Sequence, residues 1–242
     1  MIDKVIGGVA ALLALYLIYV LLKYFKFFEN VHLSGLEKTS TIYEVVPSKW
    51  ASSGIPDPNY TLSIWFYVSS WEGDNQGIDK YIFSREYDGT TSSDVEAYIG
   101  ANTNDLTVKF LGSDATTTTS CVINNVPLQK WVHLAVAKYN NVMDVYIDGK
   151  LAKTCAGSDT GSITPRLNNI NLHTSSGSTT PQSFDGYTTN MKYLNSTLGP
   201  VEIYNIYKNG YGGSWLDSLL GGYTMRMSVL KNDQEIAGIG LG

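Results

Sequence analysis

The sequence predicts an all-β fold, a two-sheet antiparallel β-sandwich, preceded by a single N-terminal transmembrane helix. Three observations carry that expectation. From Tyr60 onwards, short runs of alternating apolar and polar residues recur between Gly, Asn, Asp and Pro clusters, at roughly the 8–12-residue spacing of all-β domains. Helical periodicity is almost missing from the same stretch. Ahead of it stand eighteen residues without a charge, Val5 to Leu22. Charged residues make up 16% and aromatics 12%, with 17 Tyr and 5 Trp, which excludes a disordered chain and a coiled coil. A formal net charge of −5 argues against binding nucleic acid, which needs Lys and Arg in excess.

The uncharged run reads VIGGVAALLALYLIYVLL. At 1.5 Å per residue it reaches about 27 Å, the thickness of a thin hydrocarbon core. Val5, Leu12, Leu13, Leu15, Leu17 and Leu22 supply its lipid-facing bulk. Tyr24, Phe25, Phe27 and Phe28 follow at headgroup depth, among Lys23 and Lys26. The run is longer than a signal-peptide core and no small-x-small cleavage site follows, so it reads as an uncleaved single-pass anchor. Two lysines on its C-terminal flank against Lys4 before it lean towards a cytoplasmic C-terminal part. The chain then divides into an anchor and flank (1–28), a stalk or linker (29–58), a sandwich (59–232) and a flexible Gly-rich tail (233–242).

Within the sandwich, TLSIWFYV (61–68) sends Leu62, Ile64, Phe66 and Val68 to one face and Ser63, Trp65 and Tyr67 to the other. Strands are expected at Lys80–Arg85, Val95–Ala101 and Leu106–Leu111. The clearest stretch runs WVHLAVAK, Asn140-Asn141, VMDVYI, Asp148-Gly149, KLAKTC. Both dipeptides tolerate the positive φ of tight hairpin turns, so 131–155 reads as a three-strand meander. Ile170–His173, Tyr187–Leu194 and Tyr223–Leu230 add further strands. A short helix is expected after Gly199-Pro200, with Val201, Tyr204 and Tyr207 as its apolar stripe and Asn209-Gly210 as its stop.

Cys121 and Cys155 stand at the outer ends of the meander. If Cys121 folds back beside Cys155 they form a disulfide, the favoured reading, and otherwise they are two buried thiols. A cytosol-facing domain would disfavour the bond.

The block QKWVHLAVAKYNNVMDVYIDGKLAKTC (129–155) resembles the central meander of laminin-G-like, concanavalin A-type lectin/glucanase domains. A second block, FDGYTTNMKYLNSTLGPVEIYNIYKNG (184–210), resembles that family's closing strand and short helix. The resemblance implies a jelly-roll sandwich. A narrower likeness joins the anchor, NYTLSIWFYV, CVINNVPLQKWVHL and NGYGGSWLDSLLGGY to membrane-anchored minor structural proteins of chlorella-virus-type large DNA viruses. It implies a virion protein on the internal membrane, its domain facing the capsid and touching major and minor capsid proteins.

Glucanases on this fold present two carboxylates from one strand as Glu-x-Asp-x-x-Glu. Glu86-Tyr87-Asp88 ends at Thr91, and Asp94-Val95-Glu96 has no third acid, so no enzyme is expected. No catalytic or cofactor-binding residue is assigned. Members of this fold often bind calcium at a rim of loop oxygens; Asp88, Asp94 and Asp185 are the candidates, but no alternating-oxygen loop accompanies them. His133 and His173 fall on strands without a nucleophile motif and read as paired sheet residues. Gly238, Gly240 and Gly242 end the chain with no helix to make a phosphate loop. The sequons Asn59-Tyr60-Thr61 and Asn195-Ser196-Thr197 matter only in a lumenal domain. Tyr204, Tyr207, Tyr211 and Trp215 are the interface candidates. The leading expectation is therefore a membrane-anchored capsid linker. The alternative is a membrane-held lectin-like module stacking a glycan on Trp65, Tyr67 or Trp215.

Overall fold

The computed structural model describes residues 16–17, 31–47, 58–70, 77–87, 92–112, 115–157, 168–212, 225–231 and 234–241. In chain order the strands are β1 (Val31–His32), β2 (Glu37–Lys38), β3 (Tyr43–Val45), β4 (Tyr60–Ser70), β5 (Lys80–Glu86), β6 (Ser93–Ile99) and β7 (Leu106–Leu111). Then follow β8 (Thr118–Ile123), β9 (Trp131–Tyr139), β10 (Val142–Ile147), β11 (Lys150–Ala156), β12 (Ile170–Leu172), β13 (Asp185–Leu194), helix α1 (Pro200–Lys208), β14 (Met225–Lys231) and β15 (Gln234–Leu241).

One sheet has the order β1-β13-β4-β9-β10-β11, with β2 also on β13; the other runs β3-β12-β5-β6-β7-β8. All of these pairs are antiparallel. Leu62, Ile64 and Phe66 of β4 and Val132, Leu134 and Val136 of β9 are fully buried in the same core as Phe83, Ala97, Val108 and Phe110 of the facing sheet. The period-2 pattern therefore sets which face of each strand meets the core. The meander turns have the backbone their residues favour: φ is 51° at Asn140, 49° at Asp148 and 74° at Gly149.

Three expectations need correction. The proposed stalk is partly sandwich. β1, β2 and β3 each pair with a sandwich strand. Leu33 and Val45 are buried in the core, and Thr39 Oγ1 donates to the Phe184 and Gly186 carbonyls. These strands are two or three residues long, too short for an alternation to show in the sequence. The expected flexible tail contains β15, paired with β14 in a separate two-stranded sheet. The pattern there is broken by Gly238 and Gly240, and only two residues, Asn232 and Asp233, separate the strands.

Cys121 comes beside Cys155 and forms the expected disulfide, but from the second sheet. It lies in β8, an edge of the second sheet, and joins Cys155 of β11, the edge of the first, with Cα atoms 5.9 Å apart. The disulfide thus ties the two sheets along one side. Helix α1 is rotated from its expected phase: Val201 and Tyr204 are exposed, while Ile203 and Ile206 are buried. Ile203 packs on Ala135, Ala137 and Tyr146 of β9 and β10, where small residues leave room for the helix. Pro200 opens the helix, and the Glu202 carboxylate accepts the Gly199 N–H at 2.8 Å.

The expected anchor (Val5, Leu12, Leu13, Leu15, Leu22) lies outside the described residues, apart from Tyr16 and Leu17, which are helical and exposed. Among the described residues no helix is long and apolar enough to cross a membrane.

Candidate ligand-binding surface

Residues 60–70 and 131–139 lie side by side, so their outward-facing members form rows. Tyr67 is opposite Trp131, and Trp65 is opposite His133. On the other side of β4, Tyr187 is opposite Tyr67. Helix α1 and the turn after it lie across the second of these rows. Tyr207 stacks on Trp65 at 5.6 Å, and Tyr211 stacks on Trp131 at 4.7 Å with planes 13° apart. The Asn190 side-chain amide holds that turn by donating to the Gly210 carbonyl at 3.3 Å. Asn190 itself has φ of 53°, at a register shift in β13, which turns its side chain out of the ladder.

The result is an aromatic row, Tyr187, Tyr67, Trp131 and Tyr211, at one pole of the first sheet. Tyr211 is 48% exposed and Tyr187 39%, while Tyr67 and Trp131 are half-buried. Such a row offers flat apolar faces with polar rims, suited to stacking on a sugar ring or a partner's side chains. Beneath it the chemistry is structural. His133 is fully buried, its Nε2 is 2.9 Å from Ser63 Oγ, and its backbone N–H donates to Asp148 Oδ1. Burial lowers its pKa to about 4, so the ring stays neutral. Asp148 also meets Lys130 at 3.1 Å and so fixes the β10–β11 turn. A Cβ on Gly149 would press on the Tyr207 and Tyr204 side chains, so the bare backbone there lets the helix sit down.

Several proposed site residues take other roles. Trp65 is only 5% exposed, with Tyr207, His133 and Tyr211 around it, so it supports the surface and offers no sugar platform. Asp94 is no calcium ligand. The pairing shifts by one residue between Arg85 and Glu86, and both Asp94 oxygens fall on Arg85 Nε, at 2.8 and 3.0 Å inside the core. Burial raises the Asp94 carboxyl above the ordinary range, and the guanidinium also lies 4.1 Å over the Tyr60 ring. Asp185 is exposed at the start of β13, and its carbonyl accepts from Ser69 Oγ. Asp88 and Trp215 lie outside the described residues. Among the described residues no three His, Cys, Asp or Glu side chains gather as metal ligands do. Glu96, the second acid of the pair on β6, faces out and meets Lys109 at 3.4 Å. Lys109 also lies 4.7 Å over Tyr98.

The row was half legible. Tyr67 and Tyr211 stood out by residue type, but Trp131 read only as a strand opener and Tyr187 only as a strand residue. Knowing that β4 lies between β9 and β13 is what puts them together.

Two antiparallel sheets packed face to face, with a short helix across one of them, define a concanavalin A-like sandwich. The chain belongs to the concanavalin A-like lectin/glucanases superfamily: its laminin-G family model (Laminin_G_3) matches residues 43–204. Among solved structures, it is similar to the botulinum neurotoxin serotype D ligand binding domain in complex with N-acetylneuraminic acid. The identity is 14% over 73% of this chain and 42% of that one, with a TM-score of 0.56. It is also similar to the Ruminococcus gnavus IT-sialidase CBM40 bound to α2,3-sialyllactose, with 17% identity over 74% and 96% of the two chains and a TM-score of 0.54. The botulinum neurotoxin serotype G binding domain gives 12% identity over 72% and 46%, at 0.52. The chain thus spans less than half of the neurotoxin domains and nearly all of the CBM40 module, and at these identities the likeness is one of fold. No curated protein matches the sequence.

Proposed function

We propose that the chain is a membrane-held, lectin-like carbohydrate-binding module whose aromatic row takes a sugar ring. The observation that carries this reading is the row itself. Tyr211 backs onto Trp131 through one face and keeps 48% of its surface open. It therefore presents a stiff ring whose stacking partner is already in place. The lectin family and the glycan-bound neighbours support the same reading. The uncharged run Val5–Leu22 is the part that would hold the module on a bilayer.

The reading is of a binder and not an enzyme. Of the nearest acid pair, Asp94 is committed to Arg85 inside the core and Glu96 to Lys109. No facing carboxylates are left there to act as acid and nucleophile.

A second reading, contact with capsid proteins on a virion's internal membrane, draws on the outward side of α1, where Val201 is 73% and Tyr204 45% exposed. Neither the fold nor the related structures support a capsid role, so the virion setting rests on the sequence resemblance alone.

The test is a glycan array probed with the full chain in lipid nanodiscs. Binding to at least one glycan class is expected, weakened about tenfold by Tyr211→Ala or Trp131→Ala, roughly 1.4 kcal/mol for a lost stacking face. An array without binding, alongside capture of a capsid protein lost on Tyr204→Ala, would move the assignment to the second reading.

A further inference from the structure

A depression of about 670 Å³ opens between the β6–β7 and β8–β9 connections, lined by Asn102, Asn104, Asp105, Asn124, Asn125 and Leu128 among others. Its walls are fastened to each other. Val126 N–H donates to the Asn104 carbonyl at 2.9 Å, and the Asn104 side-chain amide returns a bond to the Val126 carbonyl at 3.0 Å. Asp105 Oδ1 accepts the Asn125 N–H at 3.0 Å, and the Asp105 carbonyl accepts the Gly100 N–H at 2.9 Å. Asn125 is held at φ 58° and Gln129 at 57°. These are two loops with a shaped backbone, not two loose ends.

On that frame, Asn102, Asn124 and Asn125 are exposed, and among the described residues no partner takes up their side-chain amides. Each offers a donor pair and an acceptor together, which is what neighbouring hydroxyls of a sugar match. Leu128, 38% exposed, adds an apolar wall for the C–H face of a ring. Among the described lining residues Asp105 is the single carboxylate and no Lys, Arg or His is present, so the lining offers no cation for an acidic ligand and too few anionic oxygens for a calcium site. The same loop runs on to the aromatic row. Leu128 and Trp131 are three residues apart, at most about 11 Å of extended chain, and the Gln129 N–H is fixed to the Val68 carbonyl at 2.9 Å.

Resting on the carbohydrate-binding reading above, we infer that this carboxamide pocket is a second subsite for neutral, hydroxyl-rich sugars. One oligosaccharide lies across both places, with one ring on Tyr211 and Trp131 and a further ring among the asparagines. Affinity therefore grows with chain length, and calcium is not required.

The experiment titrates the full chain in nanodiscs, by calorimetry, with gluco-, manno- and galacto-oligosaccharides from the monosaccharide upwards, with and without EDTA. Asn102→Ala/Asn124→Ala removes exposed amides that bond none of the described residues, so its melting temperature should match the wild type. For the neutral series that binds, the wild type is expected to tighten with length. The double variant should lose about tenfold on the longer members and nothing on the shortest, whereas Tyr211→Ala weakens all of them. Equal affinity of the double variant at every length would overturn the subsite while leaving the aromatic site standing. Loss of binding in EDTA, or binding confined to acidic sugars, would overturn it as well. Failure of every glycan, neutral or acidic, would remove the carbohydrate reading itself.

Discussion

At the scale of single residues, the largest stakes lie in Arg85 and Asp94. Both are essentially without solvent exposure, and the guanidinium lies over Tyr60 with Tyr193 at 5.9 Å. Breaking such a pair from one side strands a buried charge and costs about 3–5 kcal/mol, whereas replacing both by apolar side chains is often nearly neutral. Arg85→Met should therefore lower urea-unfolding stability by about that amount, and Arg85→Met/Asp94→Leu should recover most of it. Equal losses in both variants would show that packing on the tyrosines, and not charge, is what matters. None of this was legible beforehand. An aspartate beside a Gly-Thr loop looks like a loop ligand, and only the one-residue shift between β5 and β6 brings it to Arg85. Gly186 is similar: it lies inside β13, where any Cβ would collide with the Tyr67 carbonyl.

At the scale of elements, what the chain announces depends on length. The meander 131–155 and β4 were legible to within about two residues, because long alternation and Asn-Asn and Asp-Gly turns act together. Helix α1 was placed correctly by Pro200 and Asn209-Gly210 but with the wrong face inward. Its buried side is chosen by Ala135 and Ala137, which nothing in the helix records. β1, β2 and β3 escaped notice because a strand of two or three residues has no period. The disulfide belongs at this scale too, since it joins edge strands β8 and β11 of opposite sheets. With its cysteines 34 positions apart in the sequence, its reduction should cost roughly 2–4 kcal/mol through freedom returned to the unfolded chain. Denaturant melts with and without reductant measure this, and coincident curves would mean that the strand pairings alone hold that side. A bond of this kind is also more at home in an oxidising compartment than in the cytosol, which pulls against the weak charge bias on either side of the uncharged run Val5–Leu22.

At the scale of the whole molecule, stability should depend on mild acid. His133 and His173 are fully buried, and burial lowers both to about 4. Around His133, Asp148 opposes the shift and Lys192 adds to it. His173 sits between the Thr41 carbonyl and Thr188 Oγ1. The unfolded chain takes up these protons near pH 6.5 and the folded one only near 4. The penalty is therefore nil above about 6.5 and grows as the pH falls towards 4, reaching about 3 kcal/mol per histidine. Melting temperatures across that window should fall, and His133→Gln should remove about half of the slope. A flat profile would mean that the rings are reached by solvent.

The order of strands across the sheets was the least legible feature of all, and it is what turns scattered tyrosines into one surface. The most direct measurement of that surface is the affinity of the full chain, in nanodiscs, for its best array glycan, compared between wild type and Tyr211→Ala. A carbohydrate-binding row requires a loss of about tenfold with an unchanged melting temperature. Undiminished binding by the variant would contradict it and place the glycan elsewhere on the sandwich.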